Sequence, residues 1–192
     1  MHRADRIRLL VYTTVFGVLW GVVETLLGTC LHLFDVPFKG AVMAAIGAII
    51  LSAERIYTPV FGATISTGLV AAVLKCFSAG AARLSPAIGI GAEALLAEIV
   101  FTSLGAGGPG LLLAPVACCM EGIPHFLISQ RLTYGVGVFD AYRGVVDRIQ
   151  AALGLGEGLW VQLLSIWIAG HAAIGVAAGL CAVGIGGYLR RK

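Results

Sequence analysis

Charged residues are scarce in this 192-residue chain: Asp, Glu, Lys and Arg make up 12% of it, whereas 59% of its residues are hydrophobic. Soluble domains carry about 25% charged residues, so a water-soluble fold is excluded. The mean hydropathy of +0.96 indicates an integral membrane protein, with residues 1–192 as a single membrane domain. Each helix that crosses a bilayer needs about 20 apolar residues, so the chain has room for about six spans and no soluble catalytic domain.

The sequence also lacks the patterns of a β-barrel, a metal site and a nucleic-acid-binding protein. The apolar runs lack the period-two alternation of a β-barrel wall, which leaves α-helices as the spanning elements. The five cysteines and four histidines show no CxxC, HxxxH or HExxH spacing, so we predict no metal site or cofactor and interpret the cysteines as buried small hydrophobes. The net charge of +3 lies mostly at the two ends of the chain and gives no indication of a nucleic-acid partner.

The apolar runs and the turn signals between them predict an all-α bundle of six transmembrane helices. The spans lie near residues 9–34, 37–53, 58–77, 86–104, 110–131 and 158–188. The break between the second and third spans is placed at "SAERIYTP", which contains Glu54 and Arg55. Between the fifth and sixth spans, "VFDAYRGVVDRIQAAL" predicts an amphipathic helix, which either lies on the lipid surface or covers a binding cavity.

Basic residues at both ends predict the orientation. By the positive-inside rule, both termini lie in the cytoplasm of a multi-pass cell-membrane protein. These residues are Arg3, Arg6, Arg8, Arg190, Arg191 and Lys192.

With this orientation, ionisable and aromatic side chains gather in the outer half of the bundle. A charge at the bilayer centre costs at least about 2.5 kcal/mol, so these groups are expected to face a cavity or one another. The candidate substrate-binding residues are Glu24, Glu93, Glu121, His125, Trp160, Trp167 and His171. Glu93 and Glu98 are five residues apart and point in different directions, and we choose Glu93 as the one that lines the cavity.

One segment of the fifth span, "CCMEGIPHFLISQR", is unusual for a membrane helix. Glu121 and His125 share a face because they are four residues apart. Pro124 lacks a backbone donor and is expected to kink or open the helix between them, which would free a carbonyl beside a ligand. The alternative is an internal Glu121–His125 bond that holds the bundle together.

A stripe of small residues lies along the first span. Gly17 and Gly21 allow another helix to approach closely, either within the chain or from a partner subunit. We take these two glycines as the candidate partner interface.

The chemistry of the predicted pocket indicates its ligand. Acidic side chains outnumber Lys75, histidines can donate or accept, and tryptophans stack on rings or cations, which favours a small nitrogen heterocycle, neutral or cationic. Three alternatives stay open: a divalent-metal uptake subunit, an intramembrane enzyme with Glu121 and His125 as acid and base, and a small channel or structural subunit.

The segments "FGVLWGVVETLLG", "VPFKGAVMAAIGAIIL" and "LVAAVLKCFSAGAARLSPAIGIGAEALLAE", together with the size and layout of the chain, resemble the substrate-binding (S) components of energy-coupling factor transporters. The resemblance implies a protein that is not itself an enzyme. It would bind a vitamin or precursor from outside and act with a membrane coupling subunit and two ATPase subunits. Gly17 and Gly21 stand where that family carries Ala-x-x-x-Ala. Metal-specific members of that family depend on a histidine at the second position of an outward-facing terminus. Here His2 precedes Arg3 in a tail predicted to be cytoplasmic, which argues against a nickel or cobalt relative.

Overall fold

A computed structural model of the chain describes residues 3–34, 38–78, 84–135, 137–154 and 160–191. These residues form seven helices and contain no strand, which confirms the all-α class. The helices are α1 (Arg3–Leu33), α2 (Lys39–Tyr57), α3 (Ala63–Cys76), α4 (Leu84–Leu104), α5 (Gly108–Tyr134), α6 (Val138–Leu153) and α7 (Trp160–Leu189). The predicted amphipathic segment is therefore helical over its whole length.

Five of the helices, α1, α2, α4, α5 and α7, are long and apolar enough to cross a bilayer, so the chain is a multi-pass membrane protein. The remaining apolar helix, α3, has 14 residues and at 1.5 Å per residue covers about 21 Å, less than a bilayer core. The count of six spans stays a prediction. Exposed Ile88, Leu95 and Ile99 lie on one side of α4, as expected of a surface that contacts lipid.

Helix α2 lies at the centre and contacts α1, α3, α4, α5 and α7. Tyr12, near the start of α1, stacks on Tyr57 at the end of α2 with ring centroids 5.5 Å apart. A Cβ placed on Gly186, near the end of α7, would lie 3.4 Å from Cδ1 of Ile56. The start of α1 and the end of α7 therefore lie at the same end of the bundle, and the side of the membrane that this end faces remains a prediction.

Glycines set the closest approaches between the helices. A Cβ on Gly47 of α2 would lie 2.6 Å from Cε2 of the fully buried Trp20, which fills the space between α1 and α2. In lipid, close packing of small residues replaces the hydrophobic effect as the force that holds helices together.

The two glycines of the predicted partner interface pack within the chain. A Cβ on Gly17 would lie 2.6 Å from Cβ of Val70, and one on Gly21 would lie 2.8 Å from Cδ1 of Leu74. Both glycines are buried against α3 of the same chain. The small-residue stripe of α1 therefore contributes to packing within the bundle, and its use by a partner subunit stays a prediction.

Two predictions about helix continuity are corrected. Helix α2 continues to Tyr57, and Glu54 and Arg55, which the sequence pattern places in a break, are buried within it, with 0% and 6% of their surfaces exposed. The two charged residues therefore lie inside the bundle and not between spans. Helix α5 runs continuously through Pro115 and Pro124, so it does not open between Glu121 and His125.

Candidate functional site

Three acids from three helices lie within electrostatic range of one another through Glu93, in the half of the bundle that lies away from the chain ends. Glu93 of α4 interacts electrostatically with Glu24 of α1 and with Glu121 of α5. We call Glu24, Glu93 and Glu121, with their partners Lys75 and His125, the carboxylate cluster. The juxtaposition is a finding, whereas a role in substrate binding stays a prediction.

Glu24 forms an ion pair with Lys75, which lies in the last turn of α3. The Lys75 Nζ is 3.4 Å from Glu24 Oε1 and 3.3 Å from the Glu24 carbonyl oxygen, to which it donates. Gly28, one turn further along α1, lies beside this pair, because a Cβ there would be in ordinary contact with Lys75 Nζ at 3.6 Å. The negative charge of Glu24 is therefore matched by a cation from a neighbouring helix.

Glu121 and His125 also pair, with His125 Nδ1 at 3.5 Å from Glu121 Oε1. On the other side of the ring, His125 Nε2 lies 3.1 Å from Ser85 Oγ and 3.3 Å from Ser129 Oγ, and the two hydroxyls are 2.8 Å apart. Sequence reasoning missed both serines. Ser129 follows His125 by four residues, which is a usable signal, whereas Ser85 lies on another helix and leaves no local one.

Glu93 differs from the other two acids. Within the described ranges, its carboxylate has neither a hydrogen bond nor an ion pair, and its neighbouring charges are the two other acids. Its backbone carbonyl accepts a bond of 3.4 Å from Cys118 Sγ, which holds α4 against α5. The carboxylate cluster therefore combines three acids with one lysine and one histidine.

Aromatic rings pack against α5 near Gly122. His171 is 3% exposed, and its Nε2 would lie 3.4 Å from a Cβ on Gly122, the residue after Glu121. Its ring packs edge-on against Trp167 and Phe38, with centroids 5.4 Å and 5.6 Å apart, and Phe126 packs edge-on against Trp167 at 5.5 Å. We call Phe38, Phe126, Trp167 and His171 the aromatic group.

The tautomer of neutral His171 follows from its hydrogen bond. The Nδ1 lies 2.9 Å from the carbonyl oxygen of Trp167, which can only accept, so Nδ1 carries the proton. Its Nε2 is then a free acceptor that faces α5 beside Gly122.

Phe38 was missed by sequence reasoning, and its backbone conformation is unusual. Its φ of 58° lies in the left-handed region that side chains rarely adopt. Gly170 makes the position of the ring possible, because a Cβ there would lie 2.5 Å from Phe38 Cε1. Such strain persists where surrounding contacts hold it, and it often marks functional sites. Trp160 begins α7, but its side chain lies outside the described residues.

A second polar group lies near the other end of α3. Arg55 Nη1 donates to Glu98 Oε1 at 2.8 Å and to the Val60 carbonyl at 2.6 Å. Glu98 also accepts bonds from the Thr64 backbone N–H, the Thr64 hydroxyl and the Thr102 hydroxyl, at 3.2, 2.5 and 3.0 Å. A carboxylate is favoured there because the first turn of α3 presents unpaired N–H groups. Glu93 and Glu98 thus belong to different polar groups at opposite ends of α3.

A groove of about 270 Å³ lies between α1 and α3, but it contains none of the predicted binding residues. Its lining is mainly apolar and comprises Gly21, Val22, Thr25, Leu26, Leu74, Phe77 and Ser78. Across the part of the chain that the structure describes, no three His, Cys, Asp or Glu residues are placed to hold a metal ion. Comparison with protein-family models, curated proteins and solved structures finds no match.

Proposed function

We propose that this chain is the substrate-binding subunit of an ATP-driven micronutrient uptake system. It binds a small nitrogen heterocycle, a vitamin or a vitamin precursor, between the carboxylate cluster and the aromatic group. The observation that carries the proposal is that Glu93 lies within electrostatic range of Glu24 and Glu121, on two other helices, and is the one of the three that has no cationic partner among the described residues.

The charge balance favours a ligand that is cationic or rich in N–H donors. Lys75 pairs with Glu24, and His125 pairs with Glu121, so among the described residues Glu93 has no counter-charge. An unpaired carboxylate in a low-dielectric interior is costly, so Glu93 binds either a proton or a cationic group of the ligand. A protonated ring nitrogen or an amino group on the ligand would supply the missing charge-assisted hydrogen bond.

The aromatic group suits the rest of such a ligand. Trp167 and Phe126 offer ring surfaces that can stack on a heterocycle or contact a cation. The free Nε2 of neutral His171 accepts a further N–H bond from the ligand. Pockets of this kind combine apolar walls with a few polar groups that fix orientation.

Release into the cell is driven by partners in this proposal. The chain hydrolyses no ATP and works with a membrane coupling subunit and two ATPase subunits, as its resemblance to S components implies. With both termini in the cytoplasm, the carboxylate cluster lies in the outer half of the cell membrane, where it meets an external nutrient first.

Thermal unfolding of the purified protein in detergent, with a panel of vitamins and precursors, tests the proposal. A ligand at 100 times its dissociation constant adds about 2.7 kcal/mol of stability, which is a readily measured shift in melting temperature. Glu93→Gln and Trp167→Ala should each give a clearly smaller shift with the same ligand concentration. The exposed Asp147 of α6 offers a matched carboxylate-to-amide control in Asp147→Asn, which should keep it. If both pocket variants shift as strongly as the wild type, the pocket is misplaced.

The contact between His125 and Ser85 favours one other function, acyl transfer. Glu121, His125 and Ser85 follow one another in the order acid, imidazole and hydroxyl, at 3.5 and 3.1 Å, the relationship that activates a serine nucleophile. In this alternative, His125 takes the Ser85 proton as Oγ attacks an ester carbonyl, and then returns it to the leaving group.

A fluorophosphonate probe separates the two functions. Labelling of Ser85 that is lost in Ser85→Ala and in His125→Ala, and retained in Ser129→Ala, would support acyl transfer. Absence of labelling in the wild type would remove this alternative and leave the uptake proposal standing.

A further inference from the structure

Glu54, in helix α2, is an ionisable side chain that lies fully inside the bundle. It is 0% exposed, and neither carboxylate oxygen has a hydrogen-bond partner there. It lies in the last turn of α2, at the end of the bundle where the chain ends lie. Thr58, one turn further on, has a buried hydroxyl that is likewise unpartnered.

The nearby cation is already engaged. Arg55 follows Glu54 directly, but its Nη1 is bonded to Glu98 and to the Val60 carbonyl. Within the described ranges, Arg55 and Glu98 are the charged groups that act on Glu54. Glu54 therefore sits beside an ion pair in which it takes no part.

Within the described ranges, the titratable groups named below, on the other helices packed against α2, make their contacts with groups other than Glu54. Arg8 of α1, near the same end of the bundle, lies over the Tyr12 ring at 5.6 Å. On α1, Glu24 pairs with Lys75, and Tyr12 stacks on Tyr57; on α5, Glu121 pairs with His125. On α7, His171 bonds to the Trp167 carbonyl, and Arg190 bonds to the Ala106 carbonyl. None of these groups provides Glu54 with a counter-charge.

The charges of Glu54, Glu98 and Arg55 do not balance. With both acids ionised, Glu54 and Glu98 carry two negative charges against the single positive charge of Arg55. A buried charge without a partner costs several kcal/mol, so the site requires one more positive charge. No cluster of metal-ligating side chains is found among the described residues, so a bound proton meets this need most simply.

We propose that Glu54 and the Arg55–Glu98 pair form a buried proton-binding site, with the proton held on the Glu54 carboxyl group. While Glu54 is neutral, the Arg55 guanidinium pairs with the Glu98 carboxylate. Loss of the proton makes Glu54 a second carboxylate that competes for Arg55. Because Arg55 also holds the Val60 carbonyl, and Glu98 caps the first turn of α3 at Thr64, proton release loosens the α2–α3 connection.

Infrared difference spectroscopy on the full chain in lipid vesicles tests this directly. Wild type minus Glu54→Gln at neutral pH should show the C=O stretch of a protonated carboxylic acid, and this band should vanish as the pH is raised. Asp147→Asn on α6 is the control and should remove only carboxylate bands, because Asp147 is exposed. A difference spectrum that contains only carboxylate bands for Glu54 would overturn the proposal.

Melting temperatures give a second, independent measurement that needs no transported ligand. The wild type should lose stability as the pH rises and the native state loses its proton, whereas Glu54→Gln, which imitates the neutral acid, should lose less. Equal pH dependence in the two proteins would contradict the proposal. Stabilisation by NaCl but not by KCl in the wild type alone would also overturn it, because the site would then hold sodium. Neither result bears on vitamin binding.

Discussion

The Arg55 guanidinium and the Glu98 carboxylate meet at 2.8 Å, with 7% and 2% of their side chains exposed. The pair joins α2 to α4, and Thr64 extends it to the start of α3. Three helices are therefore tied together by one buried polar contact near the end of the bundle where the chain begins and ends.

Removing one partner of this pair should be costly. Arg55→Met leaves Glu98 as a buried carboxylate without its cation, so we expect a loss of about 3–5 kcal/mol in the free energy of unfolding. Denaturant unfolding in detergent, followed by circular dichroism, measures the change.

The double variant separates the charge effect from packing. Arg55→Met with Glu98→Met removes both charges together, and replacing a buried pair by apolar residues is often neutral or stabilising. The double variant should therefore be more stable than Arg55→Met alone. If the two losses simply add, the contact between the side chains contributes little.

Local periodicity accounts for what could be predicted from the sequence. The apolar runs predict the helical class, and the spacing of apolar and charged residues predicts α6 from Val138 to Leu153. The spacing of four residues between Glu121 and His125 likewise predicts a contact within one helix. In each case, the interacting residues are neighbours in sequence.

Contacts between distant segments could not be read in this way. Arg55 and Glu98 are separated by 43 positions, and Ser85 and His125 by 40. Glu54 and Arg55, shortly before Pro59, suggest a break between two spans, because nothing in the local sequence indicates that Arg55 pairs with Glu98 of another helix. The glycine stripe of α1 fits packing within the chain or against a partner, and the sequence alone does not reveal its contacts with Val70 and Leu74.

Two glycines of α7 form a matched pair for testing close packing. A Cβ on Gly179 would lie 2.5 Å from the Leu112 carbonyl oxygen of α5, whereas one on Gly184 meets nothing within 4 Å. Gly179→Ala should therefore destabilise the protein by about 1–3 kcal/mol. Gly184→Ala should be neutral, or stabilising by up to about 1 kcal/mol through helix propensity. Equal melting temperatures for the two variants would contradict a close approach of α5 and α7 at Gly179.

The Ser85 hydroxyl should contribute to the contact between α4 and α5. Ser85→Ala removes its bonds to His125 and Ser129, at 3.1 and 2.8 Å, and should cost about 1 kcal/mol of stability. Among the described residues, Ser103 of the same helix donates to the Ile99 carbonyl of its own helix and to no other helix, so Ser103→Ala serves as the control and should change little. A larger loss for Ser103→Ala than for Ser85→Ala would show that the contact with His125 adds nothing.

The charge of Glu93 should strengthen the binding of cationic ligands more than that of neutral ones. Glu93→Gln keeps the size of the side chain and removes its charge, so a cationic heterocycle should lose a charge-assisted bond worth about 1.5–3 kcal/mol, which is roughly a tenfold to hundredfold loss of affinity. A neutral analogue of the same shape should lose much less, because it forms an ordinary hydrogen bond with either side chain. Titration calorimetry with the two ligands on both proteins measures the difference. Equal losses for the cationic and neutral ligands would mean that Glu93 acts through shape, and the charge argument for the ligand would then fail.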